Sequence, residues 1–508
     1  MTGRKRRGGR KPRGSGAISQ PPWKQLRYRH PPFDLLDADA IEAIHAAGLS
    51  ILQETGMRIL SQRAREYYAA AGFAASREAE LVKFDSELVE ALVALAPASF
   101  TLRARNPARN IKIGDGNLVF TSVGGPAYVM DSERGRRTGS YAEMCDFIRL
   151  VQSLDILHQE GGGGFEAMDL PAATRHLDLF YAECTLLDKN WIPWTMGREQ
   201  TLDAIEMAAI SLGTTPQGLI EAPALCGIIN TNTPLQLDIP MAEGLIAMAE
   251  HGQAVAVTPF TLAGAMAPVT LAGALALQHA EAMAGIALAQ AVRPGAPVLY
   301  GGFTSNVDMK SGSPAFGTPE YLQAAQASGQ LARRLELPFR SSNVNAANTA
   351  DAQSAYESCL SLWGAITGQA NMIKHAAGWL HGGLTASLEK LIIDAEILQM
   401  VAASLEPFTV SSATLALDAI REVGPGGHFF GSAHTMARYQ DAFYSPLLSD
   451  WSNYETWQEA GSADSEQRAS RIWKQLLREY RSPPLDAALD EALRDYVARR
   501  KRQIEKTD

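Results

Sequence analysis

Residues 338–387 concentrate side chains able to do chemistry. They read PFRSSNVNAANTADAQSAYES, a short helical run, then ANMIKHAAGWLHGGLTAS. Amides, an Asp, a Gln, a Tyr, a Trp and two His lie between apolar runs that read as strands. Loops ending buried strands are where barrel enzymes keep their chemistry, and core packing does not account for so polar a loop. Asn348, Asp351, Trp379 and His381 are its candidate site residues. The glycines beside His381 let a ligand approach the backbone.

Other strand ends add Gly124, Gly125, Tyr128, Glu160, Met196, Asn230, Thr258 and Phe260. The usual catalytic sets are missing: no GxSxG elbow, no HExxH, no tight carboxylate pair. His375, His381, His428 and Cys359 lack any zinc-ligand spacing. What remains is aromatic rings with amides. Tyr128, Trp379 and Phe260 are candidate faces of a cage. Rings plus a carboxylate bind a quaternary ammonium, which has no N–H to donate. Core packing is the competing role for each ring.

The elements that would position these groups follow a repeat. Apolar runs at 118–122, 156–160, 191–196, 225–230, 254–259, 297–302, 338–343 and 371–376 end in turn-forming or polar residues. Helix-like runs separate them, at a spacing suited to strand-plus-helix units. Eight such units predict an α/β chain folded as a (β/α)8 TIM-type barrel. No GxGxxG opens a helix after a strand, which disfavours an open dinucleotide-binding sheet. The expected division is a basic tail at 1–20, a mainly helical portion at 21–115, the barrel at 116–405 and a C-terminal extension at 406–508. Ser86 is the expected N-cap of a helix over 86–95.

The bulk numbers fit a globular protein: 508 residues, 46% hydrophobic, 20% charged. A net charge of -9 without a basic stripe in the body argues against nucleic-acid binding. The basic tail lacks an apolar h-region and is not a secretory signal. Four cysteines without a CxxC pair suit a reducing cytoplasm and are expected to be buried. Residues 254–278 carry no charge and would span a bilayer by length. Pro259, Gly264, Pro268 and Gly273 break them into strand, loop and helix start, so no membrane role is expected.

Several long segments are similar to the trimethylamine methyltransferase family: GAMAPVTLAGALALQHAEAMAGIALAQAVRPGAPVLYGG, DMKSGSPAFGTPEY, NTADAQSAYE and GPGGHFFGSAHT. The resemblance covers about residues 31–493. It implies a barrel that moves a methyl group from an amine to the Co(I) of a separate corrinoid protein. The family's trimethylamine enzymes carry pyrrolysine before a DAQxxYE-like segment. Here ordinary residues stand there, with Asn348 near that position. The branch without pyrrolysine includes enzymes for quaternary amines such as glycine betaine. A quaternary ammonium already carries a neutral amine as leaving group, so SN2 attack needs positioning and dryness, not a general acid.

The resemblance thus implies a glycine betaine or similar quaternary amine substrate and a cobalamin-bearing corrinoid partner, with no tightly bound cofactor. Tyr128, Phe260 and Trp379 would shape the pocket. Asn348 and His381 would take the catalytic positions, and Glu160 or Asp351 would balance the cation. Self-association stays open. Two rivals remain: a zinc-dependent barrel methyltransferase with a thiol acceptor, and a barrel that only binds a quaternary amine.

Overall fold

The computed structural model describes residues 18–76 and 78–506. The cluster of basic residues at 4–13 lies outside the described residues. Eight short strands alternate with eight helices. The strands are β1 Asn117–Phe120, β2 Gln159–Glu160, β3 Asn190–Trp191, β4 Cys226–Ile229, β5 Ala254–Val257, β6 Val298–Gly301, β7 Phe339–Ser342 and β8 Met372–Lys374. In the same order follow α1 Tyr141–Ser153, α2 Arg175–Leu186, α3 Arg198–Ser211, α4 Ile239–Glu250, α5 Leu271–Val292, α6 Pro319–Arg334, α7 Ala352–Thr367 and α8 Leu388–Leu405.

Parallel pairing runs from β1 through β8, β7, β6 and β5 to β4. Strands β2 and β3 pair in parallel, and a bridge between Thr121 and Gln159 joins β2 to β1. No ladder joins β3 to β4, so the sheets do not close into the expected barrel. Side chains span that seam instead. Asn190 Nδ2 donates to the Ala224 carbonyl at 2.6 Å, and Thr195 Oγ1 to the Ile228 carbonyl at 3.1 Å. The fold is therefore mixed α/β, with a parallel set of strands open at one seam.

Alternation along a strand sends every second side chain to one face. Val119, Cys226, Ala254, Ala256, Leu299 and Met372 meet in a cluster separate from the main core. Their residues are small or unbranched at the base of β4, β5 and β8. Two residues further along β8 comes Lys374. The main core lies between strands and helices. Helix α5 is long and apolar enough to cross a membrane, but 83% of its most apolar stretch is buried in the protein. The charge-free 254–278 segment resolves into β5, a short strand at Phe260–Ala263, a loop and the start of α5.

Helices Ala38–Ser50, Gln62–Ala70 and Ser86–Val93 precede β1. The last is capped by Asp85, one residue before the expected Ser86: the Asp85 carboxylate accepts the Leu88 N–H at 3.0 Å. A buried chain of bonds ties this portion to β6. His45 meets His279 at 2.8 Å, and His279 meets the Tyr300 hydroxyl at 3.0 Å. After α8, residues 406–454 expose Phe408, Phe430, Phe443 and Trp451. Helices Ser465–Glu479 and Ala487–Ile504 then pack back onto the body. Tyr496 donates to Asp203 on α3 at 2.6 Å, and Trp473 to Glu389 on α8 at 3.0 Å. Cys145, Cys184 and Cys226 are buried as expected, whereas Cys359 is exposed.

Candidate active site

A cavity of about 410 Å³ opens where the parallel strands end. That is the scale of a small-molecule site. A second hollow of about 430 Å³ lies beside Arg105, Asn110 and Leu485, next to residues that precede β3 and β4, away from the strand ends.

Two cations form the inner wall of the strand-end cavity. Arg340 of β7 and Lys374 of β8 both line it, and both are buried. Lys374 Nζ donates to the Gly161 carbonyl at 2.8 Å. Burial, with Arg340's charge nearby, holds its ammonium down to about 7. Arg340 is only 2% exposed, and burial holds it down to about 10. Its Nε and Nη1 have no hydrogen-bond partner among the described residues.

Acidic groups stand behind this wall. Glu160, at the end of β2, accepts the N–H groups of Gly162 at 2.6 Å and Gly163 at 3.0 Å. Buried Glu183 on α2 is pushed well above the usual carboxylate range, first by burial and then by Glu160. Both carboxyl groups bear on Lys374. Gly161 adjoins the Gly124 loop so closely that a Cβ on Gly124 would meet the Gly161 carbonyl oxygen at 1.9 Å. Glycine is required there by close backbone approach.

Aromatic rings make the side wall. Phe260 follows β5, Phe303 follows β6, Phe316 comes from the next loop and Trp379 follows β8; all four line the cavity. Phe303 lies 5.1 Å from Phe260, 5.8 Å from Phe316 and 6.3 Å from Trp379, centroid to centroid. Trp379 is fixed from behind: its Nε1 donates to the Asn345 carbonyl at 3.0 Å, and Asn345 Nδ2 donates to the Trp379 carbonyl at 2.7 Å. The His375 ring lies 4.5 Å from Trp379, and burial holds its imidazole well below its ordinary value. A neutral His375 adds no positive charge to the wall.

The candidates from the sequence divide by position. Phe260 and Trp379 line the cavity together, as do Gly124, Gly125, Met196, Asn230 and Thr258. The other candidates lie off the lining. Glu160 lies behind it, bound to backbone N–H groups. Tyr128 pairs its backbone with Thr385, and the Arg136 guanidinium sits 3.9 Å over its ring. Asp351 is the exposed N-cap of α7, accepting from Gln353 at 2.9 Å. The Asn348 carbonyl meets His381 Nε2 at 2.8 Å, while His381 Nδ1 meets Thr385 at 2.7 Å. His381 thus spends both ring nitrogens on holding a turn whose Gly382 and Gly383 line the cavity. Arg340, Lys374, Phe303 and Phe316 were not among the sequence candidates. The signal for the two cations was present: a lone charge inside each otherwise apolar or small-residue strand.

Among the described residues, no group of three His, Cys, Asp or Glu is close enough to hold a metal ion. His375, His381, His428 and Cys359 do not assemble into one.

The comparisons with known proteins agree with one another. Glycine betaine methyltransferase of Desulfitobacterium hafniense is 37% identical over 475 residues, spanning 93% of this chain and 98% of that protein. Trimethylamine methyltransferase MttB of the same species is 28% identical and spans 90% of this chain and 92% of its own length. Among solved structures, Methanosarcina barkeri monomethylamine methyltransferase shares the fold at a TM-score of 0.51 and 10% identity, covering 89% of this chain and 90% of its own. The family described as trimethylamine methyltransferase matches residues 2–505. From one end to the other, then, the chain belongs to the trimethylamine methyltransferase family.

Proposed function

We propose that this protein moves a methyl group from a quaternary amine, glycine betaine or a similar betaine, to the Co(I) of a corrinoid protein. The observation that carries this reading is the strand-end cavity walled by Phe260, Phe303, Phe316 and Trp379. Ring faces attract a cation that offers no N–H, and each such contact is worth about 0.5–2 kcal/mol. Similarity to glycine betaine methyltransferase over nearly the whole chain supports the same substrate class.

The chain's own residues do three things in this reaction. Phe260 and Trp379 hold the ammonium, with Phe316 closing the wall between them. The apolar wall keeps water from the methyl carbon. The turn held by His381 and the Asn348 carbonyl sets the rim beside Trp379, so these two residues position rather than touch the substrate. When the C–N bond breaks, its electron pair stays on nitrogen and leaves a neutral tertiary amine, so no acid needs to act. This agrees with a wall that offers no protonated His.

Co(I) on a corrinoid supplies the nucleophile that takes the methyl group. The site suits delivery by a partner, because the residues at its mouth offer apolar contact. Met196 and Leu384 line the cavity yet are 57% and 55% exposed, and Val269 and Met309 stand exposed on neighbouring strand-end loops. A corrinoid protein docking over this apolar mouth would bring its cofactor to the methyl group. In this working arrangement the eight strand–helix units act as a (β/α)8 barrel whose β3–β4 seam is held by side chains. The exposed rings at 408–454 are the surface on which self-association would rest. We place the protein in the cytoplasm, where thiols stay reduced.

A panel of quaternary amines incubated with the protein and Co(I) cobalamin tests the reading. Methylcobalamin absorbance should rise with at least one betaine. Absence of methylation with every amine would refute it.

A further inference from the structure

We infer that Arg340 binds a carboxylate, so that the substrate is a zwitterion held with its acid group against β7 and its N-methyl groups toward the mouth. This rests on the quaternary-amine reading above and adds the other end of the molecule. An aromatic wall explains a cation. It does not explain a guanidinium beside the same wall.

Arg340 is nearly fully buried, and its Nε and Nη1 are without partners among the described residues. No acidic side chain of the described residues forms an ion pair with it. Burying an unpaired charge is costly, and such groups are found paired or serving a ligand. Its planar face is engaged: the guanidinium carbon lies 5.6 Å over the Phe303 ring. The guanidinium has two edges with parallel N–H groups, Nε with Nη2 and Nη1 with Nη2, and Arg340 lines the cavity from which a ligand would reach one of them. Two parallel N–H groups match the two oxygens of a carboxylate.

The surroundings favour an acid over a second cation. Lys374, its ammonium held down to about 7, shares the cavity wall with Arg340. A ligand bearing only an ammonium would meet the repulsion of the Arg340 guanidinium. A betaine places its carboxylate between that guanidinium and its own ammonium. The geometry also orients the methyl groups. Arg340 lies on the strand, while Met196, Gly383 and Leu384 lie on loops at the open side. A carboxylate on Arg340 therefore leaves the ammonium among Phe260, Phe316 and Trp379, nearer the mouth where the methyl acceptor arrives.

The test is equilibrium binding to the full-length protein by calorimetry, without any corrinoid. Three probes separate the charges: glycine betaine, choline, which keeps the ammonium but lacks the acid, and 3,3-dimethylbutanoate, which keeps the acid but replaces nitrogen with carbon. The wild type should prefer betaine to choline by about 30-fold or more, the scale expected for a buried charge pair. It should also bind 3,3-dimethylbutanoate measurably. Arg340→Gln should abolish that binding and bring betaine and choline within a few-fold of each other. Arg340→Lys should restore part of the preference. Choline binding as tightly as betaine to the wild type would overturn the inference, with no variant needed. So would an Arg340→Gln protein that keeps its betaine affinity. Either result, alongside methyl transfer from betaine, would sink the carboxylate anchor and leave the methyl-transfer reading intact. Arg340-dependent binding of 3,3-dimethylbutanoate would support the anchor even if no amine were demethylated.

Discussion

Phe260 offers the cleanest probe of the aromatic wall. It is half-buried and follows β5 at the cavity edge, with the Phe303 ring 5.1 Å away and Phe316 6.4 Å away. Phe303 already carries the Arg340 guanidinium over its ring, so Phe260 is freer to receive a ligand cation. Phe260→Leu keeps apolar bulk and removes the ring face. Losing one cation–ring contact is worth about 0.5 kcal/mol if water reaches it and about 2 kcal/mol if it is dry. In affinity this is about 2-fold to 30-fold weaker glycine betaine binding. Calorimetric titration measures it directly. The uncharged-nitrogen analogue 3,3-dimethylbutanoate supplies the control, because it fills the same space without a cation. Its affinity should change less than that of betaine. Phe260→Tyr keeps the ring and should bind betaine nearly as well as wild type. Equal losses for both ligands would mean that the ring acts only by packing. No loss for either would place the ammonium elsewhere and refute the cage.

Two further predictions concern what holds the site together. Lys390 and Asp394 form a fully buried ion pair on α8, and Asp394 also accepts the Gly378 N–H at 2.9 Å, one residue before Trp379. Asp394→Asn should cost about 3–5 kcal/mol by leaving the ammonium buried and unpaired, whereas Lys390→Met with Asp394→Leu should recover most of it; denaturant midpoints would show this, and a single variant as stable as wild type would contradict it. His158 is buried, accepts the Phe120 N–H on Nδ1 and meets the Lys24 carbonyl with Nε2. Burial holds its imidazole down, from 6.5 to about 4. A lowered folded value means that this stability is complete above pH 6.5 and is lost as pH falls toward 4. The loss amounts to about 3 kcal/mol. Unfolding at pH 7.5 and 4.5 should show that slope, and His158→Gln should reduce it; an unchanged slope would assign the effect to other groups.

Much of the fold was legible because buried parallel strands read as short apolar runs bounded by turn residues. Each of the eight runs overlaps one of β1–β8, although the run at 191–196 shares only Trp191 with β3. The missing ladder between β3 and β4 was not legible, because pairing depends on how two-residue strands such as Asn190–Trp191 settle against their neighbours. The site was legible in kind and less so in detail. Phe260 and Trp379 were found by reading outward from strand ends. Arg340 and Lys374 were passed over because that reading began beyond the strands, and both lie inside them. Which strand side chains face the cavity follows from the parallel register, as in Arg340 opposite Met372, and a single sequence does not display register. Asp351 looked like a charge for the site. Its place directly before a helix was the signal for an N-cap. Tyr128 looked like a cage face, but Arg136 from the paired strand covers it.

The central claim is tested most directly by glycine betaine carrying deuterated N-methyl groups, incubated with this protein and Co(I) cobalamin. Mass spectrometry should find one CD3 group on cobalt for each dimethylglycine formed, and neither product without the protein. Dimethylglycine without methylated cobalt, or no products from betaine with active Co(I) present, would contradict it.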